Sequence, residues 1–216
     1  MAESEIRKQQ MQKRTEKILH SALDLFCERG IEDTSIEAVA KKAGVGPATI
    51  YRYFETKAEL AISAGISYWQ RVAHKYAGTL EGEMYLGMTG YDQLQCIFHL
   101  FENIFREETL FLKFLQEFDI FVRKYEISQE RLGEYEEEIL NLKPYVTKAL
   151  ERGLKDKSLS FSYTVDEVYF TIMHMMLSLL QKLAYSGSIL SSDGQIDLSL
   201  QVKIAGELLL KGLRNC

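Results

Sequence analysis

Proline and cysteine are scarce in this sequence, and long apolar runs are absent from it. Only two prolines, Pro47 and Pro144, occur in 216 residues, and because proline interrupts helices, this scarcity permits long ones. The three cysteines (Cys27, Cys96 and Cys216) are not closely spaced, which indicates neither a disulfide framework nor a cysteine-rich metal site. No apolar run is long enough for a membrane-spanning helix, and the first residues are polar and charged. We therefore expect a cytoplasmic chain without a membrane span or a secretory signal.

Motifs that carry catalysis are also missing. The sequence has no paired acidic metal motif, no nucleophile elbow and no glycine-rich phosphate loop. Its histidines, at positions 20, 74, 99 and 174, lack the spacing of metal ligands. We therefore predict no catalytic residue, no metal and no cofactor, and an all-helical enzyme is the least supported interpretation.

Basic residues are concentrated near the amino terminus of an otherwise acidic chain. The 26 Lys and Arg are outnumbered by 31 Asp and Glu, which gives a formal net charge of −5. Residues 7–17 nevertheless hold five basic side chains and one acidic, and residues 38–57 hold four and one. Such patches are typical of a surface that binds a polyanion such as DNA, although two ordinary solvated helix faces would give the same pattern.

The spacing of apolar residues predicts helices and no convincing strand. Gly30 occupies the C-cap position of a first helix, and the Thr-x-x-Glu spacing of Thr34–Glu37 predicts a second helix that ends at Gly44. Pro47 suits the first position of a third helix, with Gly46 as its N-cap. Helices this short are marginal alone and must pack against longer neighbours. We predict an all-α fold, with a three-helix helix-turn-helix head joined to a larger helical bundle.

The second and third helices have the spacing of a helix-turn-helix motif over about residues 36–55. Ile50 and Phe54 lie four positions apart and are expected to face the core. Ala48 and Thr49 are small enough to let the helix approach base edges in the major groove. The side chains suited to phosphate oxygens are Tyr53, Lys57, and Thr34 or Ser35.

Residues 13–73 resemble the DNA-binding domain of the TetR family of transcriptional regulators. The resemblance rests on LF-x-x-x-G, T-S-I, A-x-x-AGV and I-Y-x-Y-F-x-x-K-x-x-L, which follow one another without a gap. It implies a repressor that binds palindromic operators as a homodimer. By position, it places Pro47, Ala48 and Thr49 at base edges and Tyr51 at a thymine methyl group or the neighbouring backbone. It leaves Arg52 at a guanine or a phosphate. The predicted DNA-binding residues are Thr34, Ser35, Gly46, Pro47, Ala48, Thr49, Tyr51, Arg52, Tyr53 and Lys57.

Beyond the head, the pattern predicts further helices. Four glycines in residues 78–91 predict a loop, and a charged helix is expected over about 128–156, with Pro144 kinking or splitting it. Thr164–Glu167 has capping-box spacing before a nearly all-apolar helix, and a last helix spans 198–213. The predicted division is a basic arm at 1–12, a TetR-type head at 13–73, and a C-terminal effector-binding and dimerisation domain at 74–216.

Aromatic and methionine side chains in this body are candidates for a hydrophobic effector pocket. They are Trp69, Phe98, Phe101, Phe118, Tyr169, Met173 and His174. Ordinary core packing is the alternative for each of them. The resemblance implies dimerisation through the last two helices and release from double-stranded operator DNA by a small hydrophobic effector. An architectural or cell-cycle DNA-binding protein that uses the same head without an effector is the alternative function.

Overall fold

The computed structural model describes residues 2–187, 189 and 191–214. Met1, Cys216 and residues 188, 190 and 215 lie outside the described residues. Within these ranges the backbone forms helices, two short 3-10 turns and one isolated antiparallel bridge between Leu159 and Arg214. The all-α prediction is confirmed. The helices are α1 (Ala2–Arg29), α2 (Ile36–Ala43), α3 (Pro47–Tyr53), α4 (Lys57–Glu81), α5 (Glu83–Gly87), α6 (Gly90–Glu107), α7 (Thr109–Lys124), α8 (Gly133–Leu140), α9 (Lys143–Asp156), α10 (Val165–Ser186) and α11 (Leu198–Leu213).

The helices group into two compact units. The first contains the described residues up to Arg71 together with Phe114–Glu138, and the second contains Val72–Lys113 together with the described residues from Ile139 onward. The change near residue 72 lies close to the predicted head boundary at 73. The division predicted from the sequence treats each domain as one continuous range, so it did not place Phe114–Glu138 in the first unit.

The first unit has an aromatic core that joins distant parts of the chain. The rings of Phe26 and Phe114 stack with their centroids 6.3 Å apart, and Phe114 stacks on Phe118 at 5.6 Å. Phe118 contacts Tyr135 at 4.8 Å, and the Tyr135 hydroxyl accepts a 3.2 Å hydrogen bond from the Trp69 ring nitrogen. Helices α1 and α4, which flank the helix-turn-helix, are therefore packed with the later segment Phe114–Glu138.

In the second unit, α6 packs against both α9 and α11. The α6–α9 contact is close because Gly90 and Gly153 face each other. A side chain at Gly90 would overlap the Gly153 backbone nitrogen. The Gly90 amide also donates a 2.9 Å hydrogen bond to an Asp156 carboxylate oxygen. Gly90 therefore permits the helices to meet backbone to backbone, whereas the missing side chain of Gly153 leaves room for Leu159.

Two of the expected element boundaries differ from the structure. The predicted loop at 78–91 is mostly helical, because α4 continues to Glu81 and α5 fills much of the remainder. Its glycines fall near helix ends, with Gly82 as the N-cap of α5. They therefore mark where helices begin and end and do not prevent helix formation. The charged segment after residue 128 is divided as Pro144 suggested, since α8 ends at Leu140 and Pro144 lies in the first turn of α9.

Helices α10 and α11 begin with well-formed caps. The predicted capping box at Thr164 and Glu167 is present in both directions, and Asp197 accepts a hydrogen bond from the Leu200 amide at the start of α11. Although the two helices pack together, they also leave large apolar side chains exposed. Those exposed by 42% or more include Phe170, Met175, Tyr185, Leu200, Ile204 and Leu208. None of the helices in the described ranges has both the length and the apolar character needed to cross a membrane.

Candidate functional site

The turn between α2 and α3 is built by Gly44. Its φ of +68° is a left-handed conformation that residues with a side chain rarely adopt. The Val45 amide reaches back to the Ala40 carbonyl at 3.0 Å and so closes the end of α2. Gly46 then serves as the N-cap of α3, and Pro47 takes its first position. This is the tight helix-turn-helix connection that the sequence predicts.

The inner faces of α2 and α3 fix the orientation of the motif. Ile36, Val39, Ala40 and Ala43 are buried on α2. Ile50 is fully buried on α3, and Phe54, directly after it, is 7% exposed. The prediction that Ile50 and Phe54 face the core is therefore confirmed.

The opposite face of α3 is open. Gly46, Pro47, Ala48 and Arg52 are exposed, and Thr49 and Tyr53 are half-buried. Tyr51 is 50% exposed and therefore does not belong to the core of the head. The Arg52 guanidinium carbon lies 5.4 Å from the centre of the Tyr53 ring, where the cation and the ring attract each other. The helix thus presents small residues at its start and aromatic and basic groups along one accessible surface.

Thr34 is a correction to the predicted set. It is 1% exposed, and its hydroxyl donates to the carbonyls of Leu25 at 3.2 Å and Gly30 at 2.8 Å. The helix N-cap is instead Ser35, whose hydroxyl accepts the Ala38 amide at 3.1 Å. Thr34 therefore fastens the loop before α2, and Ser35 is the hydroxyl that the surface offers at that helix start. The predicted capping box at Thr34–Glu37 is wrong by one position.

Lys57 is held at the same loop. Its ammonium donates to the Glu32 carbonyl at 2.7 Å and to the Thr34 carbonyl at 3.3 Å. Both acceptors are uncharged, and an ammonium carries three donors. The positive charge of Lys57 is therefore positioned beside the start of α2 without being neutralised by these bonds.

The predicted basic arm belongs to a helix. Residues 2–12 form the first turns of α1, and the described side chains from 5 to 14 are exposed. The segment is therefore the start of a helix rather than a separate arm. Its exposed basic side chains include Arg7, Lys8, Lys13 and Arg14.

A cavity of about 230 Å³ lies within the second unit. Residues from α4, α6, α9 and α10 and from the turn before α9 line it, and they are predominantly apolar. Of the seven side chains predicted for an effector pocket, Phe101 and Met173 line this cavity. The alanines Ala73 and Ala77 of α4 contribute to the wall, and their small size leaves room for the space.

The other five predicted pocket residues lie elsewhere. Trp69, Phe98, Phe118 and Tyr169 are buried by at least 96% in core packing, which is the alternative that the sequence left open. His174 is exposed, and its ring lies 6.1 Å from that of Phe170. The aromatic pattern alone therefore did not separate the residues that line the cavity from those that complete the core.

Two polar side chains in or beside the cavity wall are paired with carboxylates. The Tyr145 hydroxyl donates to a Glu81 carboxylate oxygen at 2.6 Å, and this bond raises the pKa of Tyr145. Lys75 bonds Glu107 and Glu108, each at 2.7 Å, which raises the pKa of the lysine. In the part of the chain that the structure describes, no three His, Cys, Asp or Glu side chains are grouped as metal ligands would be.

Comparison with known proteins supports the resemblance of the head to a TetR-type DNA-binding domain. Residues 18–64 match the family described as "Bacterial regulatory proteins, tetR family". The HTH-type transcriptional repressor KstR of Mycolicibacterium smegmatis is 36% identical over 64 residues, which are 30% of this chain and 31% of that protein. The uncharacterized HTH-type transcriptional regulator YvdT of Bacillus subtilis is 32% identical over 68 residues, covering 32% of this chain and 35% of the relative. The matches thus span about a third of these curated relatives.

Solved structures extend the similarity in fold to nearly the whole chain. The fatty acid degradation regulator FadR from Bacillus halodurans has a TM-score of 0.66 and 21% identity, covering 94% of this chain and 97% of that one. FadR from Bacillus subtilis in complex with stearoyl-CoA has a TM-score of 0.60 and 18% identity, covering 92% and 98%. At this level of identity the likeness concerns the fold. The amino-terminal region of this chain is a TetR-family helix-turn-helix domain.

Proposed function

We propose that this chain is a DNA-binding transcriptional regulator that binds a palindromic operator as a homodimer. The observation that carries the proposal is the exposed face of α3, where Pro47 and Ala48 leave the helix start uncrowded beside Thr49 and Tyr51. A recognition helix reads the major groove from its amino-terminal residues, which must be small or able to hydrogen bond. The set proposed to contact DNA is Ser35, Gly46, Pro47, Ala48, Thr49, Tyr51, Arg52, Tyr53 and Lys57.

Two further features support phosphate contacts beside this helix. Ser35 starts α2, where free backbone amides favour an anion. Lys57 brings its positive charge to the same loop through the Glu32 and Thr34 carbonyls. Phosphate contacts of this kind fix the position of a protein on DNA, whereas base contacts select the sequence.

A second copy of the chain is proposed to pair through α10 and α11. Their exposed apolar side chains form an unusual amount of hydrophobic surface for two neighbouring helices. A twofold dimer would present two copies of α3, and a palindromic operator has the matching symmetry.

The apolar cavity in the second unit is the proposed effector site. Its volume of about 230 Å³ exceeds the roughly 150 Å³ of a dry apolar cavity that takes up benzene. Three residues separate the end of α3 from the start of α4, and the later turns of α4 include Val72, Ala77 and Leu80 of the cavity wall. An effector that binds one conformation of α4 better than another would therefore shift the population that binds DNA. This cavity favours an effector-controlled regulator over an architectural DNA-binding protein that has no ligand.

The test is a gel shift with the DNA upstream of the gene that encodes this chain. Thr49→Val keeps the side-chain shape but removes the hydroxyl, so we expect a changed sequence preference. Lys57→Ala should weaken binding to all sequences and lower the slope of log affinity against log salt by about 1. Lys155→Ala, at an exposed position of α9, is the charge-matched control. It should leave the affinity for DNA and the salt slope unchanged.

Binding that ignores DNA sequence and Thr49 alike would refute an operator reader. Because Lys57 also bonds two carbonyls, its variant needs a melting curve that matches the wild-type chain. If Lys57→Ala is unstable, Arg52→Ala provides the same phosphate or base test at an exposed side chain.

A further inference from the structure

A second cavity adjoins the apolar one. It measures about 320 Å³ and shares Leu80, Asn141 and Tyr145 with the wall of the first. Its remaining wall is more polar, and Glu81 and Lys148 contribute to it. The two spaces therefore share three lining residues inside the second unit and differ in chemistry.

Tyr85 supplies the unusual group in the second cavity. The residue is 6% exposed, and its hydroxyl is buried without a hydrogen-bond partner among the residues that the structure describes. A buried polar group without a partner destabilises a protein and calls for an explanation. Burial raises the pKa of Tyr85 to about 12, so the hydroxyl keeps its proton and can donate it.

The charges around the polar cavity balance. Lys148 is exposed at its edge, and Glu81 accepts the hydrogen bond from the Tyr145 hydroxyl at 2.6 Å. One cation and one anion give no net charge to attract an ionic group. The lining of the apolar cavity contains His74 but no Lys, Arg, Asp or Glu in the described part of the chain. An ionised ligand would therefore lose hydration without meeting a dedicated counter-ion.

We propose that the two cavities form one site for an uncharged amphiphile, whose hydrocarbon body fills the apolar cavity and whose oxygen accepts a hydrogen bond from Tyr85. This inference rests on the proposed effector role of the apolar cavity and adds the chemical class of the ligand. A ketone, ester or lactone oxygen would have the required acceptor, and the shared wall of Leu80, Asn141 and Tyr145 marks where body and head join.

Calorimetric titration of the full chain tests the ligand class. The probes are octan-2-one, octanoate and octylamine, which have comparable hydrocarbon bodies and differ in head charge. We expect octan-2-one to bind most tightly and Tyr85→Phe to weaken it about tenfold, the effect of losing a buried hydrogen bond. Tyr163→Phe removes a hydroxyl from a residue that is 70% exposed in the same unit, and it should bind as the wild-type chain does.

Equal affinity of the wild-type and Tyr85→Phe chains for octan-2-one would overturn the role of Tyr85. Tighter binding of octanoate or octylamine would overturn the uncharged head, and so would failure of all three probes to bind. The melting temperature of the ligand-free Tyr85→Phe chain gives an independent reading. It should rise above that of the wild type, because the unpaired hydroxyl is gone, and a fall would contradict the buried orphan group.

Operator release separates this inference from the proposed function. If octan-2-one binds and Tyr85→Phe weakens it, yet the gel shift does not change with the ligand, the site exists and the effector role fails. If octanoate releases the operator from the wild-type chain and from the Tyr85→Phe chain equally well, the effector role stands and the proposed ligand class fails.

Discussion

Gly44 sets the angle between α2 and α3 through a backbone conformation that other residues rarely adopt. Space is not the constraint, because the nearest atom to an added Cβ, among described residues other than its chain neighbours, is the Lys17 ammonium nitrogen at 3.4 Å. The φ of +68° is the constraint, since a side chain in the left-handed region costs about 1–2 kcal/mol. This single residue therefore carries much of the geometry of the helix-turn-helix.

We expect Gly44→Ala to lower the free energy of unfolding by about 1–2 kcal/mol. Gly78→Ala is the matched control, because that glycine lies inside α4 with nothing within 4 Å of an added Cβ. It should instead raise stability by about 0.5–1 kcal/mol through the better helix propensity of alanine. Urea unfolding of the wild-type, Gly44→Ala and Gly78→Ala chains measures both changes in the free energy of unfolding. Equal effects of the two substitutions would contradict the role given to the φ of Gly44.

Glu32 connects the end of α7 to the loop before α2. Its carboxylate accepts hydrogen bonds from the Lys124 ammonium at 2.7 Å and from the Tyr125 hydroxyl at 2.6 Å. The bond from Lys124 is the main reason that the pKa of Glu32 is lowered from its ordinary value of 4.5. Since the folded-state pKa is lowered, the stabilisation is present above the ordinary value and is lost as pH falls through the folded-state pKa.

Glu32→Gln should therefore lower the melting temperature at neutral pH. The difference in melting temperature between Glu32→Gln and the wild type should disappear as the pH falls below 4.5. The gap should also narrow in high salt, because the ion pair is solvent-exposed. Glu55→Gln, at an exposed position two residues after α3, is the control. A gap that persists in acid would show that the Glu32 carboxylate charge is not its source.

At the level of elements, the head could be predicted from the sequence because its signals are local. Gly44, Gly46 and Pro47 determine their turn within a few residues, and Ile50 and Phe54 are identified by spacing alone. Thr34 shows the limit of this reasoning, since two adjacent hydroxyl residues precede α2 and the sequence favoured the wrong one as the cap. Only the loop conformation shows that Thr34 points back to the Leu25 and Gly30 carbonyls.

The cavity could not be predicted in the same way. Its walls come from α4, α6, α9 and α10, and a void depends on how the side chains of separate helices fit together. Ala73 and Ala77 are unremarkable on one helix and become informative only when the partners of α4 are known. The aromatic residues of the body mostly complete the core, as Phe98 and Tyr169 do.

The α6–α9 crossing gives a sharp test of close packing between elements. Gly90→Ala places a methyl group on the Gly153 backbone, which cannot yield as the end of a flexible side chain would. We expect a loss of about 1–3 kcal/mol in the free energy of unfolding, typical of overpacking. Gly87→Ala, with open space around its added Cβ, should cost far less. Similar melting temperatures for the two variants would contradict backbone-to-backbone contact.

For the whole molecule, the exposed apolar side chains of α10 and α11 decide whether the chain acts as a pair. Leu208 is 64% exposed on α11, and a charge buried between two copies would be costly. We expect Leu208→Glu to halve the mass measured by light scattering and to weaken operator binding. Met84→Glu alters an even more exposed residue, at 80%, on α5 and should leave the mass unchanged. Equal masses for the wild-type and Leu208→Glu chains would refute this pairing surface.

The composition of the first unit limits how the protein can be recombined with its relatives. A chimera that exchanges only residues 13–73 would separate Phe26 and Trp69 from the Phe114 and Tyr135 that pack against them. The transferred head would then expose the aromatic surface that Phe114–Glu138 covers in this chain. The corresponding segment of the recipient protein has a different sequence and would not fit that surface. Domain exchange in this fold should therefore transfer two stretches together, the residues up to Arg71 and Phe114–Glu138.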